Sequence, residues 1–250
     1  MKRIPTPSFV FILLSALVAA PPAPAQENPM QSAAPAAAVH FAKIDPVALA
    51  GILPEPPAAD SLTTRAELNT ILEVQSARTP EQVAWAGLVD RADIFAGFGA
   101  GGLLGAQFTK ANFPLLVELD AAAYADLRPM VDAAKKRFAR LRPYVADPRI
   151  QPCVPLSAGN SYPSGHAYGA YLCAALLAEL FPEMRDAIFD RARYYAWGRV
   201  IGGVHYPSDL EAGRRLAEFG FAELMKSAAF RAALEKCRAE AAAVALKKAA

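Results

Sequence analysis

Ser164-Gly-His-Ala-Tyr-Gly-Ala-Tyr-Leu-Cys-Ala-Ala-Leu-Leu-Ala-Glu-Leu180 is the stretch on which the fold turns. Tyr171, Ala174, Ala175 and Ala178 recur at helical spacing, with Leu172, Leu176, Leu177 and Leu180 around them. A helix apolar on nearly every side belongs inside a larger core. It is not a membrane span: Glu179 interrupts the apolar run from Ala167 to Phe181, and Pro182 and Glu183 follow it.

The segments around it read the same way. Glu183 to Trp197 puts Met184, Ala187, Ile188, Ala192 and Tyr195 on one face, and Pro207 to Met225 and Ser227 to Leu246 complete the C-terminal helices. Upstream, a helix is expected from Asp120 to Arg142, kinked at Pro129 and stopped by Leu141-Arg142-Pro143. Thr79-Pro80-Glu81 is an N-cap, a first-position proline and an acidic first turn. The pattern is helical from Ser61 onward, with no alternating β-branched run and no internal repeat. Gly97 to Gly105 lacks the Lys-Ser/Thr ending of a phosphate loop and reads as a flexible helix junction. The fold class expected is all-α: a single helical bundle domain over residues 61–250.

The N-terminal part differs. Eleven of the 21 prolines fall in the first 57 residues, so residues 26–60 are expected to form an extended Pro/Ala-rich arm. Lys2 and Arg3, an apolar run from Phe9 to Ala20 and Ala23-Pro24-Ala25 have the layout of a secretory signal peptide cleaved after Ala25. Its removal takes away two basic and no acidic residues, so the formal charge of +2 becomes zero. That balance argues against a nucleic-acid partner. A periplasmic or secreted location is expected, with no stable membrane insertion after cleavage. Apolar residues make up 54% of the chain, which suffices for a core without a disulfide scaffold. Cys173 is read as a core residue; the pairing among the three cysteines stays open, with Cys153 and Cys237 as the working expectation.

Two of the three histidines sit in unusual settings. Tyr162-Pro163-Ser164-Gly165-His166 precedes the buried helix, and taken alone it reads equally as a helix start with a partly exposed histidine or as a site whose first-turn N–H groups attract an anion beside His166. His205 precedes a proline-started helix with Asp209 near its first turn; a carboxylate there can bond one imidazole nitrogen and leave the other as nucleophile or base. Lys135 and Arg142, about two helical turns apart, share one face of a basic segment, and Lys136 and Arg140 share another. The third histidine, His40, lies in the arm, and no three-histidine metal site is available.

Taken together, the order is Lys135, six residues, Arg142-Pro143; then Pro163-Ser164-Gly165-His166; then Arg199, five residues, His205, three residues, Asp209. This resembles the three-part signature of the type 2 phosphatidic acid phosphatase (PAP2) superfamily, and most closely the bacterial class A non-specific acid phosphatases. Leu53-Pro-Glu-Pro-Pro57 and Asn160-Ser161-Tyr162 resemble their flanking segments, and the likeness runs from about Ile44 to the last helix. It implies an exported, metal-independent phosphoric monoester hydrolase of broad range, with small phosphomonoesters as substrates, phosphoryl transfer to alcohols as a side activity, and no cofactor. His205 would be the nucleophile that becomes a phosphohistidine, Asp209 its orienting carboxylate, and His166 the acid for the leaving alcohol. Lys135, Arg142, Ser164, Gly165 and Arg199 would hold the phosphoryl oxygens.

The resemblance leaves oligomeric state open and allows a homo-oligomer. It also brings alternatives: a vanadium-dependent haloperoxidase, a lipid-headgroup phosphatase, and a non-enzymatic phosphate-binding module. The chain departs from the family at Gly198, where the third motif begins with serine; loss of that hydroxyl is expected to alter affinity or pH profile while activity survives.

Overall fold

The computed structural model describes residues 41, 42, 45, 51–91 and 94–249. The readings for residues 1–40, including the signal peptide, His40 and much of the arm, lie outside them. In chain order the α-helices are α1 (Leu62–Ala77), α2 (Pro80–Arg91), α3 (Ile94–Gly99), α4 (Pro114–Phe138), α5 (Pro143–Ala146), α6 (Gly165–Leu180), α7 (Arg185–Ile201), α8 (Pro207–Leu224) and α9 (Ala228–Ala249). No strand occurs among the described residues, so the described chain is all-α.

Local signals set most of the starts. Ser61 caps α1, its hydroxyl accepting from the Thr64 amide at 3.1 Å. At α2, Thr79 Oγ1 accepts from the Gln82 amide at 3.3 Å while Gln82 Oε1 accepts from the Thr79 amide at 2.9 Å, a reciprocal capping pair. The glycine junction becomes α3 and a 3₁₀ turn, Ala100–Gly102, with Gly101, Gly102 and Gly105 at positive φ.

α6 is the central element. Leu172, Leu176 and Leu177 are fully buried, and each such side chain contributes about 1.5–3 kcal/mol by leaving water. α7 and α8 pack along it, with α4 and α9 behind. α8 approaches the first turn of α6 at Gly213, where a Cβ would lie 2.6 Å from the Ser164 carbonyl oxygen and 2.9 Å from the Tyr168 nitrogen. Gly213 therefore sets how closely the two helix starts meet.

The described parts of the expected arm lie on this bundle. The amides of Phe41 and Ala42 donate to Asp126 Oδ2 at 2.6 and 3.1 Å, Leu53 is buried, and the Pro54 carbonyl accepts from the Tyr162 hydroxyl at 2.8 Å.

Three expectations change. The helix expected from Asp120 to Arg142 starts at Pro114, which supplies the first-position proline, and stops at Phe138. Ala139 adopts a left-handed conformation (φ 46°) and its amide closes the helix onto the Lys135 carbonyl. Lys135 and Arg142 therefore do not share a helix face; the helix break at Ala139 separates them. None of the three cysteines forms a disulfide. Cys153 lies on the loop against Ile201, whereas Cys237 is buried in the main core, so the expected pair occupies different clusters. Gly198 faces α2: a Cβ there would lie 2.6 Å from Val89 Cγ2 and 3.4 Å from the Trp85 ring. Glycine at this position serves helix packing.

Candidate active site

The site forms where the starts of α6 and α8 meet the helix break after α4. Ser164 caps α6, its hydroxyl accepting from the Ala167 amide at 3.3 Å. Its own amide donates to the Asp209 carbonyl at 2.9 Å, which ties the second motif to the third. Gly165 opens the helix, so its amide has no carbonyl within the helix to bond.

Asp209 lies in the first turn of α8 after Pro207. Its Oδ2 accepts the Tyr206 amide at 2.9 Å, the reach-back bond of a helix start. The same oxygen accepts the Ser161 hydroxyl at 2.5 Å and lies 3.0 Å from His205 Nδ1. His205 Nε2 lies 2.8 Å from Nη1 of Arg142. An ionised carboxylate can only accept and a guanidinium can only donate. The neutral His205 ring therefore carries its proton on Nδ1, and its Nε2 lone pair faces the arginine. The nitrogen expected to stand open is covered by a cation.

The cations converge by tertiary packing and not by sharing a helix face. Arg142, 7% exposed, is fixed by bonds of 2.8 Å from Nε to the Gly159 carbonyl and from Nη1 to the Val204 carbonyl. Lys135 Nζ donates to the Asn160 backbone carbonyl at 2.5 Å, and Asn160 Nδ2 returns a bond of 2.9 Å to the Lys135 carbonyl. Arg199, 3% exposed, donates to Asp90 Oδ1 at 2.6 Å, and its buried Nε–H has no protein partner. His166 Nε2 lies 3.2 Å from the Asp90 carbonyl, which fixes a proton on Nε2 and makes Nδ1 the position that gains or loses one.

Electrostatics follow from burying so much positive charge together. Burial first, then Arg142, pushes the Lys135 ammonium down to about 7. Burial also lowers Arg142, to about 10, which leaves it cationic at neutral pH. Both histidines are held well below the ordinary imidazole value: burial is the largest cause, reinforced by Arg199 at His166 and by Arg142, Lys135, Arg199 and Arg140 at His205. Lys135, Arg142, His166, Arg199, His205 and Asp209 are thus brought together, with Ser164 beside Asp209 and its hydroxyl and amide already engaged by the scaffold. The arrangement suits a compact anion, which would satisfy three cations and the Arg199 donor at once. Among the described residues no three His, Cys, Asp or Glu side chains are grouped as metal ligands.

Four residues of the site went unassigned in the sequence. Arg140 donates to Asp209 Oδ1 at 2.8 Å and to Glu67 Oε2 at 2.8 Å; Ser161 bonds Asp209; and Asp90 serves both Arg199 and His166. Arg140 gave a signal through its place in the basic segment, and Ser161 through the Asn160-Ser161-Tyr162 resemblance. Glu67 and Asp90 come from α1 and α2, and no local spacing marks them.

Residues 120–231 match the model of the PAP2 superfamily. A non-specific acid phosphatase of Providencia stuartii is 30% identical over 157 residues, covering 58% of this chain and 63% of that protein. A non-specific acid phosphatase of Salmonella typhimurium is 40% identical over 114 residues, covering 43% of this chain and 45% of that protein. The chain thus spans less than two thirds of the length of these curated relatives. In three dimensions it is similar to a bacterial vanadium-dependent iodoperoxidase (TM-score 0.56, 19% identity, 72% of this chain and 53% of that one), a likeness of fold alone. No helix among the described residues is long and apolar enough to cross a membrane.

Proposed function

We propose that this chain is an exported acid phosphatase that hydrolyses phosphate monoesters through a phosphohistidine, without a metal ion. The observation that carries this reading is His205, clamped at Nδ1 by Asp209 with Nε2 turned into a group of buried cations. The phosphoryl group binds among Lys135, Arg142 and Arg199, drawing Arg142 from the imidazole onto its oxygens, and Gly165 adds its amide. The Nε2 lone pair forms a bond to phosphorus as the ester P–O bond breaks, and the proton that His166 holds on Nδ1 passes to the leaving alcohol. Asp209 stabilises the positive charge that develops on the His205 ring. Water then attacks phosphorus, His166 takes back a proton, the N–P bond breaks, and phosphate leaves. An alcohol in place of water gives phosphoryl transfer.

Acid conditions suit this division of labour. His166 must be protonated at the start, and its depressed proton affinity makes that a property of low pH and of bound substrate dianion. A periplasmic or secreted location follows from the N-terminal reading.

The test is hydrolysis of p-nitrophenyl phosphate at about pH 5–6 in EDTA, beside His205→Ala. Turnover that survives EDTA and disappears in the variant supports the reading. Wild-type activity abolished by EDTA would overturn the metal-free step, and full activity in the variant would overturn the nucleophile.

A further inference from the structure

The carboxylate that orients His205 is itself held, and by a residue that lies within the span of the first motif without being one of its signature positions. Arg140 lies two residues before Arg142, its side chain 8% exposed. Its Nη1 donates to Asp209 Oδ1 at 2.8 Å and to Ser208 Oγ at 2.7 Å. Nη2 donates to Glu67 Oε2 at 2.8 Å, and Glu67 Oε1 accepts the Ser208 amide at 2.6 Å. The guanidinium carbon sits 3.7 Å from the centroid of the Tyr206 ring. The Arg140 carbonyl also accepts the Ser161 amide at 2.8 Å, and Ser161 is the residue whose hydroxyl reaches Asp209 Oδ2. One residue thus controls both carboxylate oxygens: Oδ1 through its side chain, Oδ2 through the backbone that places Ser161.

We propose that Arg140 is a positioning residue for the phosphoryl-transfer step: it shares its charge between Glu67 and Asp209, and so fixes how Asp209 presents and polarises His205. The inference rests on the reading of His205 as nucleophile. His205 is faced by Arg142, Lys135, Arg199, Arg140 and Asp209, with His166 near and Asp90 behind Arg199. Of these, Arg140 alone touches Asp209. Loss of its charge leaves Asp209 a stronger acceptor, so His205 protonates more readily. Neutralising Glu67 does the reverse: the full arginine charge then falls on Asp209, and His205 holds a proton less well. Merely structural damage would not move the two variants in opposite directions.

The experiment compares wild type, Arg140→Gln and Glu67→Gln in kcat/KM against pH, with inhibition by inorganic phosphate and thermal melting recorded for each. A parallel nitrogen-15 NMR titration follows the His205 imidazole. Arg140→Gln should lower kcat roughly 10- to 100-fold, as removal of a partner behind a site ligand commonly does. It should leave phosphate inhibition within a few-fold and move the His205 titration and the acid limb to higher pH. Glu67→Gln, in which the glutamine oxygen still accepts from Ser208, should move both to lower pH. Unchanged kcat and titration in a folded Arg140→Gln would overturn the proposal. If that variant does not fold, a Glu67→Gln titration that is unchanged or moves upward does the same. A wild type without phosphatase activity, whose His205 titration nevertheless shifts in opposite senses in the two variants, would mark failure of the functional reading rather than of this coupling.

Discussion

Lys135 concentrates the electrostatics of the site in one side chain. Its ammonium is pushed down to about 7 by burial and by Arg142. At about pH 8 it is largely neutral, and a bound anion, by favouring the charged form, should draw a proton onto it. Calorimetry of inorganic phosphate binding in buffers of different ionisation enthalpy should therefore show net proton uptake at that pH. Lys135→Gln should abolish most of it, and buffer-independent heats in wild type would contradict the account. At this scale the sequence was informative wherever a residue lies in a spaced motif: Lys135, Arg142, His166, Arg199, His205 and Asp209 are brought into one group. It was silent on Glu67 and Asp90, because their partners lie 73 and 109 residues away and only packing brings them together.

Helix starts do much of the work at the level of elements. Asp209 satisfies the Tyr206 amide at the start of α8 and holds His205 with the same oxygen, so a structural bond and a functional one share an atom. The cap at Thr79 was legible because threonine and proline have local rules; Ser61 and Ser164 were legible only as helix starts, and their capping bonds appear in the structure. The end of α4 was not: an alanine in a left-handed turn carries no local mark, and the helix break at Ala139 displaced the expected end from Arg142. Gly198 shows the same limit, since the contact with Val89 that explains it belongs to another helix. Gly213→Ala is the sharpest test of element packing. Its methyl would meet backbone of α6 rather than a side chain that can turn away. The expected cost is about 1–3 kcal/mol of stability, seen as a lower melting temperature, with a fall in kcat as Ser164 and Asp209 part. A variant as stable and active as wild type would show that the helices are not so closely set.

For the whole molecule, buried neutral histidines tie stability to pH. His166 and His205 are held well below the ordinary value of about 6.5. Between those depressed values and about 6.5 the unfolded chain binds more protons than the folded one, so stability rises with pH across that window. Melting temperature should therefore fall as the pH is lowered from about 7 to 5, and saturating phosphate should recover more of it at the acid end by favouring the protonated rings. A flat profile, or an equal phosphate shift at both ends, would contradict this. The central claim, that His205 carries the phosphoryl group, is tested most directly by trapping it. A phosphorus-32-labelled phosphomonoester is mixed with the protein, quenched in base within the first turnover, and the labelled peptide is mapped. The account predicts an acid-labile, base-stable label on the peptide bearing His205, absent from His205→Ala. Label retained in that variant, or steady turnover with no labelled histidine, would contradict it.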